Sequence, residues 1–273
     1  MVLVTGASSG IGQACAEYLF ARRCRVYGTS RRTPHTEPRK AGPEAVPLFQ
    51  TISLDITSDE SVEQAVGLVL ASEGRVDAVV NNAGFGLAGS VESTSVAEAR
   101  EQFETNFFGT VRVCRAVLPI MRQQGHGHIL NVSSIGGRIG IPFQAIYSAS
   151  KFAVEGFTEA LRLEAAPLGI RVVLIEPGNF RTGFTIGRRM AAGGEAAAYA
   201  ERQANTLRVM EHAELHGATP EAVGRLVHRV IMMRHPRARY AVGPFIETLA
   251  LVLKRFVPSR LFEWGLAGYF RVR

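Results

Sequence analysis

The sequence has few of the residues that build disulfide scaffolds, metal sites or membrane spans. Only three of its 273 residues are cysteines, at positions 15, 24 and 114. An odd number without close spacing argues against a disulfide framework and against a zinc site, so we expect buried thiols and no metal. No apolar run approaches the roughly 20 residues needed to cross a bilayer, and no secretory leader precedes the first apolar run. We therefore expect a cytoplasmic protein.

The charge balance is basic, with a formal net charge of +7. Such a balance suits nucleic acid, a membrane surface or an anionic cofactor. The arginines are dispersed and do not interleave with aromatic residues, so we expect no nucleic-acid binding. Hydrophobic residues make up 47% and charged residues 20%, which is typical of a globular protein with a buried core. The length allows one large α/β domain or two small ones, and we predict a single domain over residues 1–273.

A glycine-rich turn follows the first apolar run. The run Val2-Leu-Val-Thr5 reads as a buried strand, and a helical pattern begins after Gly12. In this strand–turn–helix context, glycines let the backbone approach a pyrophosphate, which the helix N-terminus attracts. The other interpretation is a tight turn that binds nothing. The candidate cofactor-binding residues here are Gly6, Ser8, Ser9, Gly10, Ile11 and Gly12.

The end of the second predicted strand, residues 25–30, carries a possible cofactor selector. In dinucleotide-binding folds this strand end meets the adenosine ribose, where an acid suits the free 2′-hydroxyl of NAD. Here Ser30 and Arg31 occupy the position. A guanidinium fork matches a phosphate, so we predict NADP(H). The alternative is a solvated basic pair of Arg31 and Arg32 in a loop.

Further strands are predicted for residues 50–54, 76–80, 127–133, 169–175 and 240–243, and residues 33–47, with four prolines, read as a loop. Ligands bind at the carboxyl ends of strands in open parallel sheets. Small or polar residues follow two of these strands. They are Asn82, Ala83 and Gly84 after the fourth strand and Ser134 at the end of the fifth.

Tyr147 and Lys151 stand four residues apart in a helical pattern, so their side chains share one face. An ammonium beside a phenol favours the phenolate and lowers its pKa, and such a phenol exchanges protons with a carbonyl or alcohol oxygen. A helical pattern over residues 96–122 places Asn106 in its interior. That side chain either faces solvent or binds water within a kinked helix.

Together these motifs resemble the single-domain short-chain dehydrogenases/reductases. The resemblance rests on Thr5-Gly-x-x-x-Gly-x-Gly12, Asn81-Asn-Ala-Gly84, Ser134, Tyr147-x-x-x-Lys151 and Pro177-Gly178, in the family's order and spacing over residues 1 to about 185. It implies a Rossmann-like, doubly wound α/β fold with a parallel sheet of seven strands in the order 3-2-1-4-5-6-7.

The resemblance also implies roles for individual residues. Tyr147 matches the catalytic acid/base, and Lys151 matches the lysine that lowers the tyrosine pKa and holds the nicotinamide ribose. Ser134 matches the serine that hydrogen-bonds the reacting oxygen, and Asn106 the asparagine that links a proton-relay water to the lysine. The implied cofactor contacts beyond the glycine turn are Ser30, Arg31, Asp55 at the adenine, Asn82, Ala83, Gly84, Tyr147, Lys151, Pro177 and, at the carboxamide, Thr182.

The last third of the chain is where we expect substrate specificity. Residues 181–216 match the segment that covers the substrate in this family, and we predict a substrate lid there. Residues 245–273 form an amphipathic C-terminal extension with apolar and basic side chains. Such a segment lies on a membrane surface, roofs the substrate pocket, forms a dimer contact or packs on the core. Its weaker resemblance to steroid- and retinol-active members implies a bulky apolar substrate.

The function predicted from these features is an NADP(H)-dependent oxidoreductase. It interconverts a carbonyl and an alcohol on a small hydrophobic substrate that is steroid-, retinoid- or lipid-like. Two alternatives stay open: a catalytically silent NADP(H)-sensing protein, and a membrane-peripheral reductase that modifies lipids. We expect a homodimer or homotetramer, with possible peripheral membrane contact through the C-terminal extension.

Overall fold

The computed structural model of the protein describes residues 1–31, 49–194 and 196–273. The proline-rich loop predicted for residues 33–47 lies outside these ranges. The strands are β1 Val2–Val4, β2 Val26–Ser30, β3 Gln50–Ser53, β4 Ala78–Asn81, β5 Leu87–Ala88, β6 Gly127–Val132, β7 Ile170–Pro177, β8 Arg189–Met190 and β9 Arg239–Val242. The helices are α1 Gly10–Ala21, α2 Asp59–Glu73, α3 Val96–Phe103, α4 Gly109–Gln124, α5 Ala145–Ala165, α6 Phe184–Gly187, α7 Ala197–Leu215, α8 Glu221–Ile231, α9 Phe245–Phe256 and α10 Ser259–Tyr269.

The main sheet has seven parallel strands in the order β3-β2-β1-β4-β6-β7-β9. Central β1 pairs on one side with β2 and on the other with β4, so that Val4 lies opposite both Gly28 and Val80. Counted along the chain within this sheet, the order is 3-2-1-4-5-6-7, and the predicted fold is confirmed. The short strands β5 and β8 form a separate parallel pair, which the sequence did not predict.

Two apolar layers cover the sheet. Every residue of β1 and β4 is buried, as expected for parallel strands with helices on both faces. One core cluster joins the sheet to α2, α4 and α5, and the other joins it to α1 and α8. The two layers leave the carboxyl ends of the strands as the edge where polar side chains gather.

The continuous helix predicted over residues 96–122 is interrupted. Between α3 and α4 the chain makes a turn of π-helix over Glu104–Phe108. Asn106 lies in this turn and is 1% exposed, so it does not face solvent. Its side-chain amide bonds with both the N–H and the C=O of Phe85, and the wider turn accommodates that inward direction. Single π turns of this kind occur often at functional sites.

The sixth predicted strand, β7, extends to Pro177, which lies opposite Val242 of β9. Pro177 therefore reaches the carboxyl edge of the sheet.

Among the helices in the described ranges, none combines the length and apolarity needed to cross a bilayer.

Candidate active site

The carboxyl ends of the central strands enclose a cavity of about 260 Å³. Ten of the predicted site residues line it, although they come from five separate segments of the chain. They are Ser9, Gly10, Ile11, Asn82, Gly84, Ser134, Tyr147, Lys151, Pro177 and Thr182. The sheet therefore brings together residues that are up to 173 positions apart in the sequence.

The glycine turn between β1 and α1 has the backbone that its sequence predicts. Gly6 and Gly10 adopt left-handed φ angles of 66° and 58°, which glycine reaches without strain. A Cβ atom on Gly12 would lie 2.3 Å from the carbonyl oxygen of Gly6 and 2.4 Å from Nδ2 of Asn82. A side chain at position 12 is thus excluded by its surroundings.

Asn82 fastens the glycine turn to the end of β4. Its Nδ2 donates to the carbonyl oxygens of Thr5 at 3.0 Å and Gly6 at 3.3 Å. In return, the Thr5 hydroxyl accepts from the backbone N–H groups of Asn82 and Ala83 at 2.9 and 3.0 Å. These bonds hold the N-terminal end of α1 in a fixed position beside the cavity.

The residues around this end of the cavity fit a dinucleotide. The N-terminus of α1 offers N–H groups and a positive dipole end to a pyrophosphate. Thr182 faces the glycine turn from the opposite wall, since a Cβ on Gly10 would lie 3.4 Å from that of Thr182. A nicotinamide dinucleotide, when bound, supplies a hydride for the reduction of a carbonyl.

Ser134, Tyr147 and Lys151 meet at the other end of the cavity. Ser134 lies just beyond β6, accepts a hydrogen bond from the Gly136 N–H at 3.0 Å and is hydrogen-bonded to Tyr147. Tyr147 and Lys151 lie on α5 and are 7% and 6% exposed. The Lys151 ammonium donates to the carbonyl oxygen of Val132 at 2.9 Å. The serine and tyrosine hydroxyls thus offer two adjacent groups to a substrate oxygen.

Burial governs the protonation of both groups on α5. It raises the pKa of Tyr147, against the opposing hydrogen bond with Ser134. It also lowers the pKa of Lys151 to about 8, against the opposing charge of Glu155. The expected lowering of the Tyr147 pKa by Lys151 is therefore wrong in this structure, because burial disfavours phenolate and ammonium alike. At neutral pH Tyr147 is a phenol that can donate its proton.

Asn106 lies behind the cavity wall near Lys151. A Cβ on Gly84 would lie 2.9 Å from Oδ1 of Asn106 and 3.8 Å from Nζ of Lys151. Asn106 Nδ2 also donates to the hydroxyl of Ser150 at 3.2 Å, and that hydroxyl donates to the carbonyl oxygen of Tyr147 at 2.7 Å. Asn106 thereby connects the turn after β4 to α5.

The remaining predicted site residues lie outside the cavity lining. Four of them lie behind the residues that line the cavity: Gly6, Gly12, Ala83 and Asn106. Ser8 is exposed on the glycine turn. Ser30, Arg31 and Asp55 lie at the ends of β2 and β3, which are paired through Ser30 and Ser53. Burial raises the pKa of Asp55, but hydrogen bonds from Thr57 and the charge of Arg31 bring it below its usual value. Arg31 and Asp55 are therefore close neighbours.

A second cavity of about 490 Å³ adjoins the first and was not predicted. The two cavities share lining residues, among them Ser134, Gln144 and Glu214. Helices α7, α9 and α10 cover the second cavity, and we call these three helices the roof. Its apolar lining includes Ile139, Ile141, Met210, Ile246, Ala250, Leu253, Val257, Leu261, Phe262 and Leu266.

One carboxylate attaches the roof to the sheet. Glu247 in the first turn of α9 accepts hydrogen bonds from the backbone N–H and the side chain of Asn179, at 2.8 and 2.6 Å. Burial raises its pKa, against these two hydrogen bonds. Sequence analysis missed this residue. The available signal was a single acidic residue at the start of the apolar run Phe245–Leu253.

The segment predicted as a lid contributes a second contact over the tyrosine. The ring of Phe184 lies 5.8 Å from that of Tyr147. Glu214 of α7, which was also missed, pairs with Arg188 and Thr185 beside this ring. The charge of Glu214 acts on Tyr147 and raises its pKa further. The predicted lid segment thus reaches the Tyr147 end of the cavity through Phe184 and Glu214.

Comparison with known proteins agrees with this geometry. The family model described as short chain dehydrogenase matches residues 1–193. The 3-ketodihydrosphingosine reductase of Bacteroides thetaiotaomicron is 39% identical and covers 100% of this chain and 98% of that protein. Human retinol dehydrogenase 8 is 43% identical over 67% of this chain and 60% of its own length.

Solved structures show the same fold. A short-chain dehydrogenase from Streptomyces avermitilis is 34% identical, with a TM-score of 0.81, and the match covers 98% of this chain and 96% of that one. A serine dehydrogenase in complex with NADP⁺ is 26% identical (TM-score 0.73; 90% and 95% covered). A Burkholderia phymatum enzyme in complex with NAD is 25% identical (TM-score 0.76; 93% and 92% covered). The chain belongs to the short-chain dehydrogenase family of oxidoreductases.

Proposed function

We propose that this protein is an NADP(H)-dependent reductase that converts a ketone on a long-chain, lipid-like substrate to the alcohol. The observation that carries the proposal is the apolar cavity of about 490 Å³ that opens at Ser134. A hydrocarbon chain in that cavity gains about 0.8 kcal/mol for each methylene removed from water. Its carbonyl then lies where the two cavities join, beside the hydroxyls of Ser134 and Tyr147.

In the proposed reaction, Ser134 and Tyr147 hold the carbonyl oxygen. Tyr147 donates its proton to the oxygen as negative charge develops there. Its raised pKa supports this role, because the phenol is protonated over the physiological pH range. Lys151 holds positive charge next to the site, and Asn106 keeps the turn after β4 in place beside it. Residues 181–216 act as a lid that excludes water through Phe184.

The preference for NADP(H) is part of the proposal. It is supported by Ser30 and Arg31 at the end of β2, where an acidic residue would favour NAD. The guanidinium of Arg31 pairs with a 2′-phosphate, and Asp55 next to it contacts the adenine. The solved relatives include complexes with NADP and a complex with NAD, so the family alone does not choose between the two cofactors.

The lipid-like substrate is supported by the second cavity and by the relatives that act on sphingoid and retinoid compounds, as their names state. Of these, 3-ketodihydrosphingosine is the first substrate to test, because its reductase matches this chain over its whole length. We further propose a cytoplasmic homodimer or homotetramer. Exposed Phe108 and Phe152 offer apolar surface for that assembly, and light scattering measures its mass.

The test is a measurement of NADPH oxidation with 3-ketodihydrosphingosine and with short-chain ketones. We expect turnover of the long-chain ketone, and a fall of about 10³-fold in kcat in Tyr147→Phe, since a general acid contributes 10²–10⁴-fold. The matched control is Tyr18→Phe on α1, which removes a phenol outside both cavities. NADPH binding without turnover of any ketone would favour the silent cofactor sensor instead.

A further inference from the structure

The C-terminal extension, residues 245–273, leaves an apolar stripe at the surface. Phe245, Leu249, Val252 and Phe256 are 75%, 37%, 53% and 76% exposed. Their spacing places them on one face of α9, and they do not line the cavity below. We call these four residues the exposed stripe. An apolar face of this kind on a water-exposed helix marks an interaction surface.

The exposed stripe is continuous with the mouth of the apolar cavity. Ile246 and Leu253 on α9 line the cavity and are also 73% and 45% exposed. On α10, Leu261 and Tyr269 do the same at 58% and 49%. One apolar surface therefore extends from the outside of α9, over the rim, to the space that ends at Ser134.

The segment that carries the exposed stripe is basic. Residues 245–273, all of them described, carry five basic and two acidic side chains. The carboxylate of Glu247 is turned inward to Asn179, which leaves Glu263 as the one acidic side chain of this segment at the surface. Two guanidinium groups lie over exposed aromatic rings: Arg255 over Phe256 at 5.9 Å and Arg273 over Trp264 at 5.0 Å.

We propose that the exposed stripe and the basic side chains of the same C-terminal extension dock the protein on an anionic lipid bilayer. Aromatic and aliphatic side chains enter the boundary between headgroups and acyl chains, while arginines remain at the phosphate level. A second copy of the chain is less suited to this face, because a two-fold contact would bring the same basic rims together. The cavity mouth then opens toward the membrane, and a lipid ketone enters it without crossing water. This delivery step rests on the proposed function; the docking itself does not.

The experiment is co-sedimentation of the full chain with vesicles of phosphatidylcholine alone and with about one third phosphatidylglycerol. We expect binding to the anionic vesicles that weakens with added salt. Phe245→Ser with Phe256→Ser should reduce the bound fraction about tenfold, and Arg255→Gln with Arg260→Gln severalfold. The control pair, Val91→Ser with Met232→Ser, removes side chains that are equally exposed (67% and 70%) but lie outside the extension, and should bind like the parent.

We call the protein with Phe245→Ser and Phe256→Ser the stripe variant. The docking is overturned if the parent and the stripe variant sediment equally with anionic vesicles, or if the parent does not sediment with them. It is also overturned if light scattering shows a dimeric parent and a monomeric stripe variant and neither protein binds vesicles. Turnover separates the two proposals. With a water-soluble ketone the stripe variant should match the parent, whereas with a vesicle-embedded ketone it should be about tenfold slower. A protein that binds vesicles but reduces no ketone contradicts the proposed function and leaves the docking intact.

Discussion

The carboxyl edge of the main sheet and the roof are built on different physical principles. We call the first of these, with Asn106, Ser134, Tyr147 and Lys151, the sheet edge. At the sheet edge, Asn106, Tyr147 and Lys151 are each less than a tenth exposed. Asn106 and Lys151 are held by hydrogen bonds to backbone groups, and Tyr147 is hydrogen-bonded to the side chain of Ser134. In the roof, Ile246 and Leu253 line a cavity and face solvent at once. The ends of parallel strands thus hold the candidate catalytic side chains through directional bonds, while amphipathic helices supply a large apolar space with few such contacts. We therefore expect that the proposed reaction and the choice of substrate can be changed by separate substitutions.

The largest expected effect is a loss of NADPH binding when the glycine turn at the sheet edge is distorted. In Gly12→Val the new Cβ would lie within 2.4 Å of both the carbonyl oxygen of Gly6 and Nδ2 of Asn82. The glycine turn between β1 and α1 must therefore move. We expect NADPH affinity to fall by more than about 100-fold, because the backbone no longer approaches the pyrophosphate. Fluorescence titration with NADPH measures this. Gly67→Val, at a helical site with open space around it, is the control and should bind NADPH like the parent.

The next effect concerns the cofactor at the same edge. Arg31→Asp places an acid where the ribose 2′-position is expected, and should shift the ratio of kcat/KM for NADPH over NADH by about 100-fold toward NADH. Arg122→Asp makes the same charge change on the far end of α4 and should leave the ratio unchanged. An unaltered ratio in Arg31→Asp would remove the basis for the NADP(H) preference.

A change in the roof should act on substrate length alone. Ala250→Trp fills part of the apolar cavity, and we expect kcat/KM to fall about 30-fold for a long-chain ketone, as buried methylenes lose their space. With a short ketone it should change less than about twofold. Ala200→Trp on the exposed side of α7 is the matched control. Equal losses for both ketones would show that roof and sheet edge do not act separately.

The smallest effect is a shift in pH dependence within the sheet edge. With the pKa of Lys151 at about 8, the ammonium is lost above that pH, and kcat/KM for reduction should decline there. The negative charge of Glu155 raises this pKa, so Glu155→Gln should move the decline to lower pH and reduce the rate at pH 8 by about threefold at most. Glu159→Gln, on the exposed side of α5, should not move it. A decline that stays in place in Glu155→Gln contradicts the assignment to Lys151.

Local patterns in the sequence predicted the sheet edge well, and long-range packing limited the rest. The glycines after Val2–Val4 predicted a strand–turn–helix. The four-residue spacing of Tyr147 and Lys151 predicted that both side chains lie on one face of a helix. The pKa of Tyr147 was predicted in the wrong direction, because it depends on burial and on where Lys151 points. The π turn around Asn106 was not specified by the helical pattern, because the partner of that side chain, Phe85, lies 21 residues away.

The roof could not be predicted as a unit. The helices that form it, α7, α9 and α10, lie in separate segments, and their periodicity shows that each has an apolar face but not which surface that face covers. In the structure, residues 245–273 cover the apolar cavity, whereas contact with a membrane or a second subunit stays a prediction. Glu247 could be noticed as an isolated acid, but its partner Asn179 is 68 residues away.

The attachment of α9 has a consequence for how such enzymes diverge. One of the two donors that Glu247 binds is the backbone N–H of Asn179, a group that every residue except proline provides. A different C-terminal segment can therefore attach at the same point if it presents a carboxylate at the same height above β7. Substitution of Asn179 removes its side-chain hydrogen bond to Glu247, while the hydrogen bond from the backbone N–H remains. The cover of the proposed substrate cavity can thus differ between related chains without any change in the glycine turn or in Tyr147.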